Sequence, residues 1–295
     1  MLPQVRFGKT ELSVTRLALG GYPFGGVNLA RGWDPFSPAG RAQAVETIHA
    51  ALDAGINLVD TAPGYGDGNS ESIVGEALRG SRDGVVLATK VGYDGSASDV
   101  RESVEASLRR LRTDRVDVIQ FHGGFYTDEE VAHILNDGLL DELVALRAEG
   151  KVRYLGFTAE EPWTARPLIA SGGFDVMQVR YNVIYQAAAI HVLDLATEAD
   201  MGISVMRPMT SGILQRMAGY VAPEWAETSD LYEVCLRFVL SDSRVHVANV
   251  GMRWPDEVAK NVALASRFEP AFDMADLPRM TAHIYRTDDE TAGVA

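Results

Sequence analysis

The sequence predicts an α/β fold: a (β/α)8 TIM barrel preceded by a short N-terminal β-hairpin. Eight short apolar runs, several rich in Val and Ile, recur along the chain, and such runs are typical of parallel strands buried on both faces. Longer amphipathic segments separate them, as the crossovers between parallel strands require. Eight strand–helix units close into a barrel, and the 295 residues suit that fold. We therefore expect one barrel domain over residues 1–295.

The chain begins with a predicted hairpin over Val5–Val14, whose turn is Gly8–Lys9–Thr10 between apolar ends. We expect this hairpin to close the bottom of the barrel. The eight predicted barrel strands follow in this order: Leu17–Gly20, Ile56–Val59, Val85–Thr89, Val116–Phe121, Tyr154–Phe157, Val176–Val179, Ile203–Met206 and Val247–Val250.

Helices are predicted between the strands, where apolar residues recur at helical spacing. The first covers residues 42–52, with Gly55 as a C-terminal stop, and the next covers residues 100–111. One or two helices are expected over residues 131–146, and Pro255 suits the first turn of the last helix. Residues 287–295 are acidic and rich in small residues, which predicts a flexible tail.

The composition excludes several classes of function. The formal net charge is −14, so the chain repels phosphate backbones and anionic membranes, and we expect no nucleic-acid or membrane partner. The one cysteine, Cys235, cannot form an internal disulfide, which fits a reducing compartment. The sequence contains neither a signal-peptide pattern nor the roughly 20 consecutive apolar residues of a membrane span. We therefore expect a cytoplasmic protein.

Polar residues stand at the ends of successive predicted strands. Asp60 follows the second strand, with Tyr65 in the loop after it; Lys90 follows the third strand and His122 the fourth. Each residue alone also has a purely structural explanation, such as a helix cap, a loop anchor or a satisfied core histidine. Catalytic groups of this fold lie at the C-terminal ends of the strands, so these four are expected to converge on one mouth of the barrel.

This combination suits proton transfer by a phenol. A free tyrosine titrates near pH ~10, and a lysine ammonium beside the phenol is expected to lower its pKa. A carboxylate keeps the lysine charged and oriented, and a histidine can hydrogen-bond a substrate oxygen. A phenol tuned in this way is a suitable general acid for a developing alkoxide.

In their contexts, these residues resemble the tetrad of the aldo-keto reductase superfamily. The contexts are Val59–Asp60–Thr61–Ala62–Pro63–Gly64–Tyr65–Gly66, Ala88–Thr89–Lys90 and Gln120–Phe121–His122, and the resemblance extends from about Val5 to about Asn261. It implies catalytic roles for Tyr65, Lys90, Asp60 and His122. It also implies a nicotinamide dinucleotide bound in the barrel without a Rossmann fold, and the sequence contains no Gly-rich dinucleotide fingerprint and no metal-binding Cys/His spacing.

The resemblance also implies where the cofactor binds. Gln178 is similar to the glutamine that holds the carboxamide, and Thr158 keeps a hydroxyl where the family has Ser-Asn, although Ala159 lacks the amide. Met206 stands where many members stack an aromatic ring on the nicotinamide. The segment after it resembles the pyrophosphate loop, and the residues implied there are Arg207, Pro208, Ser211, Gly212 and Leu214.

The eighth unit bears on the choice between NADP(H) and NAD(H). Asn261 matches the residue that contacts adenine, whereas Gly251 and Glu257 occupy positions where many members have cations for the 2′-phosphate. Arg253 is a nearby cation that can pair with that phosphate, although it can also be a solvated loop residue. We expect NADP(H), following the family, with NAD(H) as the alternative.

Loop aromatics are candidates for the wall of a substrate pocket, although they can equally pack on one another. The candidates are Tyr22, Phe24, Trp33, Phe36, Phe125 and Tyr126. The leading hypothesis is reduction of a small aldehyde or ketone to an alcohol. The alternatives are a sugar or alcohol dehydrogenase working in the oxidative direction, and a cofactor-binding regulatory subunit with little turnover. The physiological substrate and the oligomeric state are not specified by any motif.

Overall fold

A closed barrel of eight parallel strands forms the centre of the molecule in the computed structural model, which describes residues 2–27 and 32–270. The strands in chain order are β1 (Gln4–Arg6), β2 (Ser13–Thr15), β3 (Leu17–Gly20), β4 (Leu58–Asp60), β5 (Val86–Val91), β6 (Val116–Phe121), β7 (Val152–Ala159), β8 (Val176–Arg180), β9 (Gly202–Met206) and β10 (Val247–Gly251). Strands β3 to β10 follow one another around the barrel, and β10 closes it by pairing with β3. The predicted fold class is confirmed.

The N-terminal hairpin closes the bottom of the barrel, as the sequence predicts. Strands β1 and β2 pair antiparallel, with Val5 opposite Val14. The buried side chains of Phe7, Leu12 and Val14 pack against the lowest inward-facing residues of the barrel strands. The turn requires glycine at position 8, because φ is +59° and a Cβ there would lie 2.1 Å from the backbone nitrogen of Gly202.

The helices surround the barrel, and several begin and end at the sequence signals for them. Their bounds are α1 (Pro38–Asp53), α2 (Asn69–Ala77), α3 (Ala97–Leu111), α4 (Asp128–Asn136), α5 (Leu139–Ala148), α6 (Arg166–Ala170), α7 (Ala187–His191), α8 (Leu193–Glu198), α9 (Ile213–Val221), α10 (Pro223–Thr228), α11 (Leu231–Ser241) and α12 (Pro255–Ser266). The hydroxyl of Ser37 caps the start of α1 and Gly55 follows its end at φ +92°. None of the helices in the described ranges is long and apolar enough to cross a membrane.

Short helices that the apolar pattern does not predict follow the later strands. Helices α6, α7 and α8 have five or six residues each, which is too short for a helical period to stand out in the sequence. Helices α9 and α10 follow β9, beside the mouth of the barrel. The predicted tail over residues 287–295 lies outside the described residues.

The inside of the barrel is layered, and the layers position the site. The lower layer is apolar and includes Ala18, Leu58, Ala88, Val118, Val176 and Val247. Because side chains of a strand alternate between its faces, the residues two positions further along also point inward. Apart from Gly20 in β3, these residues are polar, and they hydrogen-bond across the barrel to the carboxylate of Asp60. The polar layer therefore lies just below the C-terminal mouth.

Candidate active site

A buried ion pair lies at the centre of the polar layer. The Nζ atom of Lys90 donates to Oδ2 of Asp60 at 2.8 Å and to the carbonyl oxygen of Thr61 at 2.8 Å. The side chains are 1% and 2% exposed. Burial by itself would lower the pKa of Lys90, but Asp60 and the phenol of Tyr65 raise it above its usual value. The lysine is therefore a fixed positive charge near the barrel axis.

Tyr65 is held above this pair by a rigid loop. The Lys90 ammonium lies 4.8 Å from the centre of the Tyr65 ring. The loop turns through left-handed residues at Gly66, Asp67 and Gly68, and α2 begins directly after it. Gly25 packs so closely that a Cβ on it would lie 2.6 Å from the carbonyl carbon of Tyr65. The backbone that carries the ring is therefore closely packed at the mouth.

A second buried network supports the same loop from behind. The hydroxyls of Thr61 and Ser70 lie 2.8 Å apart, and Ser70 donates to the carbonyl of Gly21 at 2.8 Å. In α2, the fully buried carboxylate of Glu71 accepts from Arg110 at 2.6 Å, and also from the hydroxyl of Thr89. These contacts tie the Tyr65 loop to three neighbouring strand ends.

His122 completes the group of four on the other side of the phenol. Its ring centre lies 5.7 Å from that of Tyr65 in an edge-on arrangement, and its backbone N–H donates to the carbonyl of Val91 at 2.8 Å. Desolvation by the surrounding protein and the charge of Lys90 lower the pKa of His122 to about 4, although Asp60 opposes the shift. The imidazole is therefore neutral near pH 7, so one ring nitrogen donates and the other accepts.

The net pKa shift of Tyr65 is opposite in direction to the one expected from Lys90 alone. Lys90 does lower the pKa of the phenol, as expected, but desolvation of the ring raises it more, and Asp60 adds to the rise. The net result is a pKa above the ordinary value of 10.0. The phenol therefore keeps its proton through the neutral range.

Sequence reasoning missed two amides that hold Asp60. Gln120 donates to Oδ1 of Asp60 at 3.3 Å, and Asn249 donates to Oδ2 at 2.9 Å. Gln120 stands two residues before His122 and Asn249 two residues before Gly251, so strand alternation combined with the strand ends could have indicated both. The carboxylate thus receives hydrogen bonds from several sides of the barrel.

Two expected nicotinamide ligands are already engaged within the protein. The hydroxyl of Thr158 donates to the carbonyl of Gly123 at 2.8 Å and accepts from its N–H at 3.0 Å, so it is committed to the loop beside His122. The amide of Gln178 donates to Oδ1 of Asp60 at 3.2 Å. In this arrangement the Thr158 hydroxyl holds the loop, and the side-chain amide oxygen of Gln178 takes no part in the bond to Asp60.

The predicted pyrophosphate loop has an unusual backbone. Arg207, Thr210 and Ser211 all have φ between 52° and 55°, the left-handed region that non-glycine residues rarely occupy. Gly212 follows at φ +76°, and the nine-residue α9 begins after it. The Arg207 guanidinium is 44% exposed and donates to the hydroxyl of Ser211 at 3.3 Å. Backbone strain of this kind is concentrated at functional sites.

The flanking residues of this loop have different environments. Met206 is half-buried at the end of β9, where it pairs with Arg180 of β8. Pro208 is buried, and Leu214 is half-buried with its N–H donating to the hydroxyl of Thr210 at 3.1 Å. Met206 therefore stands at the mouth as expected, whereas Pro208 supports the loop from inside.

A charged cluster that sequence reasoning missed joins three strand ends opposite Tyr65. Glu160, after β7, pairs with Arg207 at 2.6 Å and lies 3.6 Å from Arg180. Arg180 also pairs with Glu161 and lies 3.6 Å over the ring of Tyr185. In the sequence Glu160, Glu161 and Arg180 look like ordinary surface charges, because the closure of the barrel that brings them next to Arg207 is not visible there.

At the eighth unit, Arg253 and Glu257 interact with each other. Glu257 accepts from the backbone N–H of Arg253 at 2.7 Å and from its guanidinium at 3.3 Å. Asn261 donates to the carbonyl of Glu257 at 2.8 Å within α12, and Gly251 is exposed at the end of β10. The arginine is thus near the expected phosphate position with a carboxylate as its neighbour.

The candidate pocket aromatics divide into two groups. Tyr22, Phe36 and Phe125 are exposed, and Tyr22 contacts the Tyr65 ring with 5.1 Å between ring centres. The other three are buried with their neighbours in the main core: Phe24, Trp33 and Tyr126. The indole N–H of Trp33 donates to the carbonyl of Gly40, and the Tyr126 hydroxyl to that of Thr158. These three support the loops from inside instead of presenting a face to a pocket.

The comparisons with known proteins agree with this geometry. The model of the aldo/keto reductase family matches residues 17–284. A NADH-specific methylglyoxal reductase from Escherichia coli is 30% identical over 238 residues, which are 72% of this chain and 69% of that protein. An L-galactose dehydrogenase from Arabidopsis thaliana is 26% identical over 89% of this chain and 88% of its own. The structure of an aldo/keto reductase from Klebsiella pneumoniae in complex with NADP and acetate has a TM-score of 0.77 at 25% identity, covering 95% of each chain.

Proposed function

The chain belongs to the aldo/keto reductase family, and we propose that it reduces a small aldehyde or ketone to an alcohol with a nicotinamide dinucleotide as hydride donor. One observation carries this proposal: Asp60, Lys90, Tyr65 and His122 lie together at the C-terminal mouth of the barrel. They supply a protonated phenol, a buried cation beneath it and a neutral imidazole beside it. Carbonyl reduction is assisted by a proton donor and by positive charge where the carbonyl oxygen acquires negative charge, and these groups can provide both.

Each member of the group has a separate task in the proposed reaction. Tyr65 donates its phenolic proton to the substrate oxygen. Lys90 stabilises the phenolate that remains, and Asp60 keeps the ammonium in place. The neutral ring of His122 donates a hydrogen bond to the same oxygen and orients it. The raised pKa of Tyr65 supports the reductive direction, because the general acid is protonated at neutral pH.

The residues at the barrel mouth fit a dinucleotide at its phosphate end. The left-handed turn over Arg207, Thr210 and Ser211 suits an anionic group because the N-terminus of α9 and the Arg207 guanidinium lie there, and Glu160 is the carboxylate that pairs with this guanidinium. At the nicotinamide end, Met206 and the side-chain amide oxygen of Gln178 are the residues that can contact the nicotinamide. When bound, the dinucleotide supplies the hydride for the carbonyl carbon.

We propose NADP(H) as the preferred cofactor, with NAD(H) as the alternative. Arg253 supports NADP(H), since a guanidinium pairs well with a phosphate. Glu257 opposes it, because its carboxylate already accepts from that arginine. The relatives include both kinds, a reductase described as NADH-specific and a structure in complex with NADP. The preference of this chain therefore depends on the balance between Arg253 and Glu257.

The exposed aromatics support a small, partly apolar substrate. Tyr22 lies against Tyr65, and Phe36 and Phe125 stand on the loops after β3 and β6. The oxidative direction is the second candidate, supported by the similarity to an L-galactose dehydrogenase. In that direction Tyr65 or His122 takes the proton of the alcohol. The raised pKa of Tyr65 makes its phenolate scarce near neutral pH, whereas the neutral imidazole of His122 can accept a proton.

A carbonyl and alcohol panel followed at 340 nm tests the proposal. The purified protein is assayed at pH 7 with NADPH and NADH against methylglyoxal, 4-nitrobenzaldehyde and pyridoxal, and with NADP and NAD against L-galactose. We expect NADPH oxidation with at least one aldehyde at a rate exceeding that of any alcohol oxidation. Absence of turnover in every combination, with cofactor binding intact, would contradict the enzymatic proposal. A dominant oxidative reaction would replace reduction by the second candidate.

A further inference from the structure

The carboxylate of Asp60 has more hydrogen-bond donors than the ion pair with Lys90 requires. Its Oδ1 accepts from Gln120 at 3.3 Å and Gln178 at 3.2 Å, and its Oδ2 accepts from Lys90 at 2.8 Å and Asn249 at 2.9 Å. The donors come from four different strands of the barrel, β6, β8, β5 and β10. Both oxygens are thus held from opposite sides, and the carboxylate plane is fixed.

Among the three amides that donate to Asp60, Asn249 is the one that acts on the same oxygen as Lys90. It shares Oδ2 with the Lys90 ammonium, and its bond is the shortest of the three from amides. It reaches the carboxylate from β10, whereas Lys90 lies on β5, the strand that pairs directly with Asp60. Asn249 and Lys90 therefore donate to the same oxygen of Asp60 from different strands of the barrel.

The other half of the Asn249 side chain indicates that the bond to Asp60 is its main polar interaction. The residue is 9% exposed, and its Oδ1 is buried with no hydrogen-bond partner among the described residues. A buried amide with an unsatisfied oxygen costs free energy unless its other end gains more. A purely packing role would be filled better by leucine, which has a similar volume and no polar atoms.

We propose that Asn249 is a positioning residue that fixes the Asp60 carboxylate, so that the Lys90 ammonium faces the Tyr65 phenol. This inference rests on the proposed function, because Lys90 and Tyr65 act there in proton donation. Without Asn249, Lys90 is the remaining donor to Oδ2. The two glutamines hold only Oδ1, so the carboxylate group can turn and move Oδ2. The ammonium, which also donates to the carbonyl of Thr61 at 2.8 Å, is then turned by the movement of Oδ2 from its direction toward the Tyr65 ring, whose centre lies 4.8 Å away.

Two substitutions separate hydrogen bonding from packing. Asn249→Leu fills the space but donates nothing to Asp60. Asn249→Asp places a second carboxyl group at 2.9 Å from Oδ2, and two carboxylates this close share a proton at low pH. The protonated form donates as the amide does, whereas the ionised form repels Asp60. The aspartate variant should therefore approach wild-type activity at acid pH and lose it as pH rises.

The experiment measures kcat and KM for methylglyoxal with NADPH from pH 5 to pH 9, together with the Kd for NADPH by fluorescence. A hydrogen bond to a charged group contributes roughly 1.5–3 kcal/mol, equivalent to about ten- to more than a hundredfold in rate. We expect Asn249→Leu to lower kcat at least tenfold at every pH, with little change in KM or in Kd. Asn249→Asp should show a new decrease with rising pH.

The matched control is Asn57→Leu. Asn57 is also a hydrogen-bonded asparagine, with its Nδ2 donating to the carbonyl of Ser13 at 2.8 Å and its Oδ1 accepting from Thr15, but it lies at the hairpin end of the barrel. The Asn57→Leu variant should have lower thermal stability than the wild type and the same kcat. The positioning role is wrong if Asn249→Leu keeps kcat within threefold of wild type, or if both Asn249 variants lose activity by one pH-independent factor. A wild type that reduces no carbonyl would instead contradict the proposed function.

Discussion

Replacing Lys90 by methionine tests how much the buried cation contributes to both stability and catalysis. The substitution keeps a long side chain but removes the ammonium that lies 2.8 Å from Asp60 and 4.8 Å from the Tyr65 ring. Asp60 is 2% exposed, so water cannot replace the lost partner. Removing one partner of a buried pair costs about 3–5 kcal/mol. The amides that still donate to Asp60 place the expected loss at the lower end of this range.

The catalytic loss should be larger than the loss of stability suggests. Lys90 is the group that lowers the pKa of Tyr65 against desolvation, so the phenol becomes a weaker acid without it. General acid catalysis contributes about 10²–10⁴-fold, and we expect kcat for carbonyl reduction to fall within that range. Steady-state turnover at 340 nm and thermal unfolding of the same preparations measure the two effects separately.

A second variant distinguishes the two roles of the lysine. Lys90→Met combined with Asp60→Asn removes both charges, so the buried unpaired carboxylate disappears and much of the lost stability should return. Activity should stay low, because the phenol still has no cation beside it. Lys151→Met is the control, since Lys151 pairs with Glu105 at 2.7 Å on the surface, where such pairs contribute about 0–1 kcal/mol. A Lys90→Met enzyme that keeps more than a tenth of kcat would refute the reasoning.

Two further predictions concern pH and cofactor choice. The kcat/KM for reduction should be level from about pH 5 to pH 9, because the pKa of His122 is lowered to about 4 and that of Tyr65 is raised above 10.0; a titration near pH 6.5 would contradict the neutral imidazole. Arg253→Ala should weaken the binding of NADPH about ten- to more than a hundredfold and that of NADH little, as expected for a charge-assisted contact of roughly 1.5–3 kcal/mol. Glu257→Gln should strengthen the binding of NADPH but not that of NADH. Fluorescence titrations at one salt concentration compare these variants. Equal losses of affinity for both nucleotides in Arg253→Ala would show that the arginine supports the loop.

Most of the fold could be predicted from the sequence because a parallel barrel repeats one simple pattern. Buried strands appear as continuous apolar runs, and the predicted strands Leu17–Gly20 and Val116–Phe121 agree with β3 and β6 to the residue. The strand after Gly55 is less regular, since it begins at Leu58 instead of Ile56 and includes Asp60. A polar residue at the end of an apolar run looks like a loop residue in sequence, although here it still belongs to the strand.

Site residues could be predicted from the sequence where a residue at a strand end has a side chain that itself suggests proton transfer or a charge. Lys90 and His122 stand out there, whereas Gln120 and Asn249 do not, because an amide has no chemistry that points to a role until its partner is known. Their contact with Asp60 crosses the barrel, and separations of 60 and 189 residues leave no local signal. The sign of the Tyr65 pKa shift depends on how tightly the loop packs, which the sequence does not show.

The most direct test of the account is the hydride-transfer rate of Tyr65→Phe. The change removes one hydroxyl and keeps the ring that contacts Tyr22 and His122. Enzyme mixed with NADPH and an excess of methylglyoxal is followed at 340 nm in a single turnover, with Tyr220→Phe as control, since Tyr220 is 88% exposed. We predict that Tyr65→Phe binds NADPH with wild-type Kd and transfers hydride about 10²–10⁴-fold more slowly, while the control is unchanged. A Tyr65→Phe rate above a tenth of wild type would show that the proton comes from another group and contradict the account.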